Sequence, residues 1–187
     1  MTDVPATLDQ RFRAAAADAG LLDVAYDLTE TPVGTLLLGA TDRGVCRISY
    51  DPEPEQELEL LGRAFGPRVL RSARPLDKLR LELDGYFGGS RRTSDLETDL
   101  RGVPEFNRLV LAELARVPFG EVTTYGTLAA RAGFPKAARA VGTVMNRNPV
   151  PIVLPCHRVI GASGKLVGYG GGLERKEQLL RLEGVIL

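Results

Sequence analysis

Residues 123–148, TTYGTLAARAGFPKAARAVGTVMNRN, contain two short helical patterns joined by Phe134-Pro135, with Gly133 where the first must stop. Two consecutive short helices around a glycine turn make a helix-turn-helix arrangement, which points to DNA, although any two consecutive short helices share the pattern. The second helix is bare: Ala137, Ala138, Ala140 and Gly142 surround one long cation, Arg139, while Val141 and Met145 supply an apolar stripe. Small side chains let a backbone approach its partner closely. The partner could be a neighbouring helix, or a nucleic-acid groove into which an arginine inserts and displaces a base.

Composition bounds the alternatives. The chain has 187 residues, 44% hydrophobic and 26% charged, which is ordinary for a globular protein. No apolar run approaches the roughly 20 residues needed to cross a bilayer. The N-terminal stretch MTDVPATLDQRFRAAAADAG is acidic and amphipathic and lacks an apolar signal core, so a cytoplasmic protein is expected. Cys46 and Cys156 stand far apart, form no Cys-x-x-Cys pair and suggest free thiols, with no disulfide framework or zinc site. Net charge is zero, yet residues 1–115 carry 14 Lys and Arg against 20 Asp and Glu, and residues 116–187 carry 10 against 4. A basic C-terminal half suits a polyanion, although such a split also arises by chance.

Ahead of the helix-turn-helix, residues 7–19 are helical in pattern, with Thr7 as a candidate cap and Gly20 as the stop. LDVAYDL, VGTLLLGAT and GVCRISY read as three strands of a small antiparallel meander, the last placing Val45, Arg47 and Ser49 on one face and Cys46, Ile48 and Tyr50 on the other. Cys46 is thereby a core residue. EPEQELELLGRAF and LDKLRLELDGYF are helices, the second with Leu76, Leu79, Leu83 and Tyr86 in one stripe before Gly88-Gly89. SRRTSDLETDLRGVP is polar and reads as a surface connection containing the domain boundary. PEFNRLVLAELARV opens on Pro104 and carries Phe106, Leu109, Val110 and Leu114 on one side. The expected fold is α+β: an N-terminal support domain over residues 1–97, with a small antiparallel sheet and helices, then a mostly helical, winged-helix-like domain over 98–187.

The chemistry concentrates in NPVPIVLPCHRVIG, residues 148–161, which holds Cys156 and the chain's sole histidine, His157. Pro149, Pro151 and Pro155 imply an extended, stiff carrier for the thiol. Neighbours on such a stretch point apart, so contact between Cys156 and His157 needs a turn or a bridging water. An ordinary thiol is mostly protonated at neutral pH, and nucleophilic work requires a base or positive potential, for which His157 and Arg158 are the candidates. Residue types alone leave a structural cysteine open. The run VGYGGG, residues 167–172, adds a loop able to close around a flat ligand beside the ring of Tyr169; it could equally be a hairpin tip.

PCHRVIG, preceded by NPVPIVL and followed by GYGGG, together with PFGEVTTYGTLAARAG and KAARAVG, closely resembles the O6-alkylguanine-DNA alkyltransferases, most densely over residues 104–184. The resemblance implies direct, single-turnover transfer of an alkyl group from guanine O6 in double-stranded DNA, with O4-alkylthymine as a second substrate class, to Cys156. His157 would act as base through a water and Glu183 would orient it. Tyr125 would lie near the target phosphate and help protonate the departing guanine; Arg139 would fill the stack left by a flipped base. Ala137 and Ala138 would face the minor groove, with Thr124 among the DNA contacts. Asn148 would brace the turn into the active-site segment, Val159 would offer the base a backbone acceptor, and Tyr169, Gly170 and Met145 would complete or support the pocket. No cofactor, metal or membrane is implied, and a monomer is expected, with cooperative binding along DNA left open.

Gly170 stands where some members of that family carry a serine able to hydrogen-bond the base, so the donor to O6 would come from Tyr169 or the backbone. Structural zinc in some members uses N-terminal cysteines and histidines that this chain lacks. A related non-enzymatic group has tryptophan at the acceptor position; here it is cysteine, and the chain has no tryptophan. Three readings follow: a repair transferase, a lesion-binding adaptor without chemistry, and a helix-turn-helix regulator in which Cys156 is structural.

Overall fold

The computed structural model describes residues 6–186; the first five residues of the acidic N-terminal stretch and Leu187 lie outside the described residues. The chain forms two compact units, though not by a single cut. Residues up to Asp84 together with Leu96–Arg101 make the first unit, and Gly85–Asp95 together with the chain from Gly102 onward make the second. The chain passes between the units after Asp84, Asp95 and Arg101.

In the first unit, helix α1 (Ala6–Asp18) precedes strands β1 (Val24–Thr31), β2 (Gly34–Thr41) and β3 (Gly44–Tyr50), the expected antiparallel meander. Thr7 lies inside α1, so it is not a cap beyond the helix end. Helix α2 (Pro54–Phe65) leads to a three-residue strand the pattern did not reveal, β4 (Val69–Arg71), which pairs parallel to β1 and gives the order β3-β2-β1-β4. A 3-10 turn, Arg74–Leu76, runs into helix α3 (Asp77–Phe87). Leu36, Leu37 and Leu38 all have zero exposure, so β2 is covered on both faces, each leucine contributing about 2 kcal/mol by burial. Cys46 packs with Val24, Leu37 and Leu61. Burial, and the charge of Asp99, push its thiol up to about 12, so it stays protonated and inert. Arg47 and Ser49, on one face as expected, share the buried carboxylate of Glu57 on α2, with contacts of 2.7 to 2.8 Å.

The polar segment after α3 is not merely a surface connection. Val45 donates its N–H to Glu97 (2.9 Å) and accepts from Asp99 (2.8 Å), adding a parallel bridge to the edge of β3. A Cβ on Gly44, whose φ is 135°, would stand 2.3 Å from the Glu97 carbonyl, so glycine is required there. Asp99 is buried and accepts from Thr41 and Arg101.

The second unit contains helix α4 (Glu105–Leu114), strand β5 (Thr123–Thr124), helices α5 (Tyr125–Arg131) and α6 (Ala138–Asn146), a 3-10 turn at Cys156–Arg158, strand β6 (Val159–Ile160) and helix α7 (Leu173–Leu182). β5 and β6 pair in parallel, Thr123 opposite Val159. α5, the turn at Gly133 (φ 89°) and α6 form the helix-turn-helix, packed on α4. The buried stripe of α4 is Val110, Leu111 and Leu114; Leu109 is 44% exposed, and Phe106 instead meets Phe134 edge-on at 5.0 Å. On α6, Val141, Val144 and Met145 are buried, which leaves Arg139 and Ala140 outward. Among the described residues no helix is long and apolar enough to cross a membrane.

Candidate active site

The segment after α6 is folded into turns rather than extended. Asn148 organises it: its Oδ1 accepts from the Val150 N–H (3.1 Å), and its Nδ2 donates to the Leu154 carbonyl (2.7 Å) and to the Sγ of Cys156 (3.2 Å). Leu154 returns a backbone bond to Val150, and Ile152 takes a φ of 74°. A β-branched residue in the left-handed region costs about 1–3 kcal/mol and persists only where its surroundings fix it. The following 3-10 turn replaces strand alternation, so Cys156 and His157 are both buried without pointing oppositely along a strand. The prolines restrict φ, as expected, but they frame a turn.

Burial pushes the Cys156 thiol up to about 11, against the opposing pull of the Asn148 hydrogen bond, a backbone N–H, the charge of Lys176 and a bond from Tyr169. The resting group is a thiol, and its use as a nucleophile requires a base. His157 is fully buried, and burial lowers its pKa despite the hydrogen bond and charge of Glu183. The imidazole is neutral. Its Nε2 lies 2.7 Å from Oε1 of Glu183, and a neutral ring facing a carboxylate presents its N–H there. Nδ1 is then the lone pair, and among the described residues this buried atom has no hydrogen-bond partner.

Glu183 ends α7 and collects donors on both oxygens. Oε1 accepts from Tyr86 Oη (2.7 Å), His157 Nε2 (2.7 Å) and Arg158 Nη2 (2.9 Å); Oε2 accepts from Arg158 Nε (2.9 Å) and the Gly120 N–H (3.2 Å). Burial alone would raise this carboxyl, but the hydrogen bonds and charges of His157 and Arg158 outweigh it and hold it down at about 2. Arg158 also donates to the Val117 carbonyl (2.6 Å) and stacks over Phe119. Its charge is spent on Glu183, not on the thiol. The positive potential near Cys156 comes instead from Lys176, which has no exposure and donates to the carbonyls of Val159 (2.6 Å), Val167 (2.9 Å) and Gly168 (3.3 Å). Burial lowers its amine to about 8.

Two family models cover nearly all of this architecture. Residues 24–100 match the ribonuclease-like domain, and residues 105–185 the DNA binding domain, of 6-O-methylguanine DNA methyltransferase. The chain belongs to the 6-O-methylguanine DNA methyltransferase family. A methylated-DNA–protein-cysteine methyltransferase of Mycolicibacterium paratuberculosis is 42% identical over 86% of this chain and 92% of its own length. One from Methanosarcina acetivorans is 38% identical over 85% and 97%. A crystal structure of Mycobacterium tuberculosis OGT in complex with DNA superposes with a TM-score of 0.74 at 36% identity, covering 86% of this chain and 93% of the other.

Within this methyltransferase fold, hydrogen bonds link Asn148 and Tyr169 to Cys156, and Glu183 to the neighbouring His157. Val159 joins them with its carbonyl already on Lys176, leaving one lone pair for another donor. Tyr125 opens α5, and its hydroxyl donates to the Val167 carbonyl (3.1 Å) at the edge of the glycine loop. The small face of α6 accommodates this ring: a Cβ on Gly142 would lie 3.9 Å from it. Thr124 caps α5 by accepting from the Thr127 N–H (3.1 Å), a structural task independent of any ligand. Met145 is buried in the apolar stripe of α6. Arg139 is exposed and Ala137 and Ala138 half-buried, outside the network around the thiol. Among the described residues no group of three His, Cys, Asp or Glu could hold a metal ion.

Lys176 and Tyr86 are the members that sequence reading missed. Lys176, Leu179, Leu180 and Glu183 recur at helical spacing, and two charges on a buried stripe were the available signal. Gly170 proves to be a packing glycine, since a Cβ there would stand 2.9 Å from the backbone oxygen of Asn146. Gly170→Ser should therefore displace the loop and destabilise the protein by about 1–3 kcal/mol, read as a fall in thermal midpoint. An unchanged midpoint would show that the loop yields freely.

Proposed function

We propose that this protein repairs DNA by moving the alkyl group of O6-alkylguanine in a duplex onto Cys156, once per molecule. The observation that carries the reading is the Cys156 thiol, hydrogen-bonded by Asn148, beside a neutral His157 whose Nε2–H is committed to Glu183 and whose Nδ1 lone pair is unused. Nδ1 takes the thiol proton, through a water as the family resemblance implies. The sulfur then attacks the alkyl carbon, an S–C bond forms, and the C–O6 electron pair stays with guanine. Tyr125 is the candidate donor to that leaving group, its hydroxyl exchanging the Val167 carbonyl for the base. Glu183 stabilises the imidazolium without taking its proton, because Arg158 already neutralises the carboxylate. With the thiol raised and the imidazole lowered, the thiolate–imidazolium pair is a minor state at rest, and substrate in position must draw it forward.

The thioether product has no exit. A sulfur bound to saturated carbon is a poor leaving group, and the other cysteine, Cys46, lies in the core of the first unit. Mixing the protein with duplex DNA bearing O6-methylguanine should yield a gain of one methyl mapped to Cys156 and a burst equal to the protein present. Absence of that gain rejects the reading in favour of a binding adaptor. O4-alkylthymine is the second substrate to test in the same assay.

A base in a stack cannot present O6 to a buried thiol, so extrusion at a cost of a few kcal/mol is part of the proposal. Arg139 is exposed on α6 among small residues, which supports it as the group that takes the base's place. Arg139→Ala should slow repair of duplex DNA about tenfold more than reaction with free O6-benzylguanine, since only the duplex requires extrusion. Equal losses on both substrates count against the stack-filling role.

A further inference from the structure

Tyr86 closes the apolar stripe of α3 in the sequence, yet its hydroxyl ends on the acid of the relay. The ring is buried, edge-on to Phe87 at 5.3 Å and to Phe119 at 6.1 Å. Its hydroxyl donates to Oε1 of Glu183 (2.7 Å) and stands 3.5 Å from His157 Nε2. Tyr86 falls in the stretch matched by the ribonuclease-like domain, residues 24–100, but Gly85–Asp95 belongs to the second unit, with the DNA-binding part.

The Glu183 carboxylate does not need Tyr86 to be held or neutralised. The Arg158 fork engages both oxygens and Gly120 donates to Oε2. With His157 these donors already make four bonds, and Tyr86 adds a fifth on an acceptor that has about four lone-pair sites. What the Tyr86 hydroxyl adds falls on Oε1 alone, the oxygen that faces the imidazole. We propose that Tyr86 is a positioning residue of the relay: its hydroxyl shares Oε1 with His157, fixes which oxygen meets Nε2–H, and limits how much of the carboxylate's charge the imidazole feels. The proposal rests on the reading of His157 as the base.

The charged groups that face this imidazole are Glu183, Arg158 and Lys176. Tyr86→Phe changes none of them and keeps both ring contacts. With one donor fewer, Oε1 becomes a better acceptor, the Nε2–H bond tightens and the imidazole becomes more basic. His157 is the chain's only histidine, so its ring 15N and N–H resonances report this without ambiguity. In the full-length Tyr86→Phe protein the Nε2–H proton should move downfield. The acid limb of the pH–rate profile for O6-methylguanine duplex should rise by about half a pH unit or more, with duplex binding unchanged. 3,5-Difluorotyrosine at position 86, a stronger donor with the ring intact, should move the resonance and the acid limb the other way, and serves if the phenylalanine variant does not fold. Resonances and profiles that superpose on those of the parent overturn the proposal. Shifted resonances in proteins that never gain a methyl group uphold the positioning role while removing the transfer reading.

Discussion

Cys156→Ala should end methyl uptake altogether while the protein still folds and still binds duplex DNA carrying O6-methylguanine. The acceptor is a single atom, and nothing near it can substitute: Asn148 offers only an amide, Tyr169 a phenol, and Cys46 is locked in the other unit with its thiol pushed up to about 12. The fold should tolerate the change. Sγ takes side-chain bonds from Asn148 and Tyr169, and Asn148 Nδ2 keeps the Leu154 carbonyl at 2.7 Å when the sulfur is gone, so the turn retains its brace and the loss is about 1–2 kcal/mol. Intact mass after incubation, with gel-shift titration of the same DNA, separates the two properties. Residual uptake in the alanine variant would mean that another nucleophile takes the alkyl group.

Legibility followed the reach of local pattern. β1, β2 and β3 were readable because alternation and turn residues such as Gly44 act within a few positions. β4 was not, since Val69–Arg71 is too short to carry a period and its parallel pairing with β1 is non-local. Residues 97–99 join β3 through backbone atoms alone, invisible in a polar run. Nothing in PVPIVLP announces a positive φ at Ile152, because the strain there is imposed by the Asn148 turn. At the site, the resemblance named Cys156, His157 and Glu183, which adjacency alone left undecided between filler and reagent. Arg158 was read as an aid to the thiol and belongs to Glu183 instead. Lys176 in LERKEQLL resembles any solvated lysine until its stripe-mates Leu179 and Leu180 are counted, and Tyr86 looked like one more apolar stripe residue. These groups act through partners 8 to 97 residues away, across loops and turns that periodicity does not describe.

Glu183→Gln should cost both stability and chemistry, and pH separates the two. The substitution leaves Arg158, itself buried, without its counter-charge, and a glutamine amide offers one acceptor oxygen where two served, so a loss of about 3–5 kcal/mol is expected. His157 Nε2–H keeps at best a neutral acceptor, and the imidazolium formed during transfer loses its counter-ion; the rate should fall by roughly two orders of magnitude or more. The carboxyl is held at about 2 in the folded protein against 4.5 as its ordinary value. A depressed acid contributes stability that is complete above the unfolded value and disappears as protons bind on the way down to the folded one. The parent should therefore lose an extra increment of thermal midpoint between about pH 5 and pH 2, and the glutamine variant, lower at neutral pH, should lack that increment, so the two curves converge in acid. Parallel curves over that window would mean that the carboxylate charge is not what secures Arg158, and the account of a neutralised acid that steadies His157 without taking its proton would fail with it.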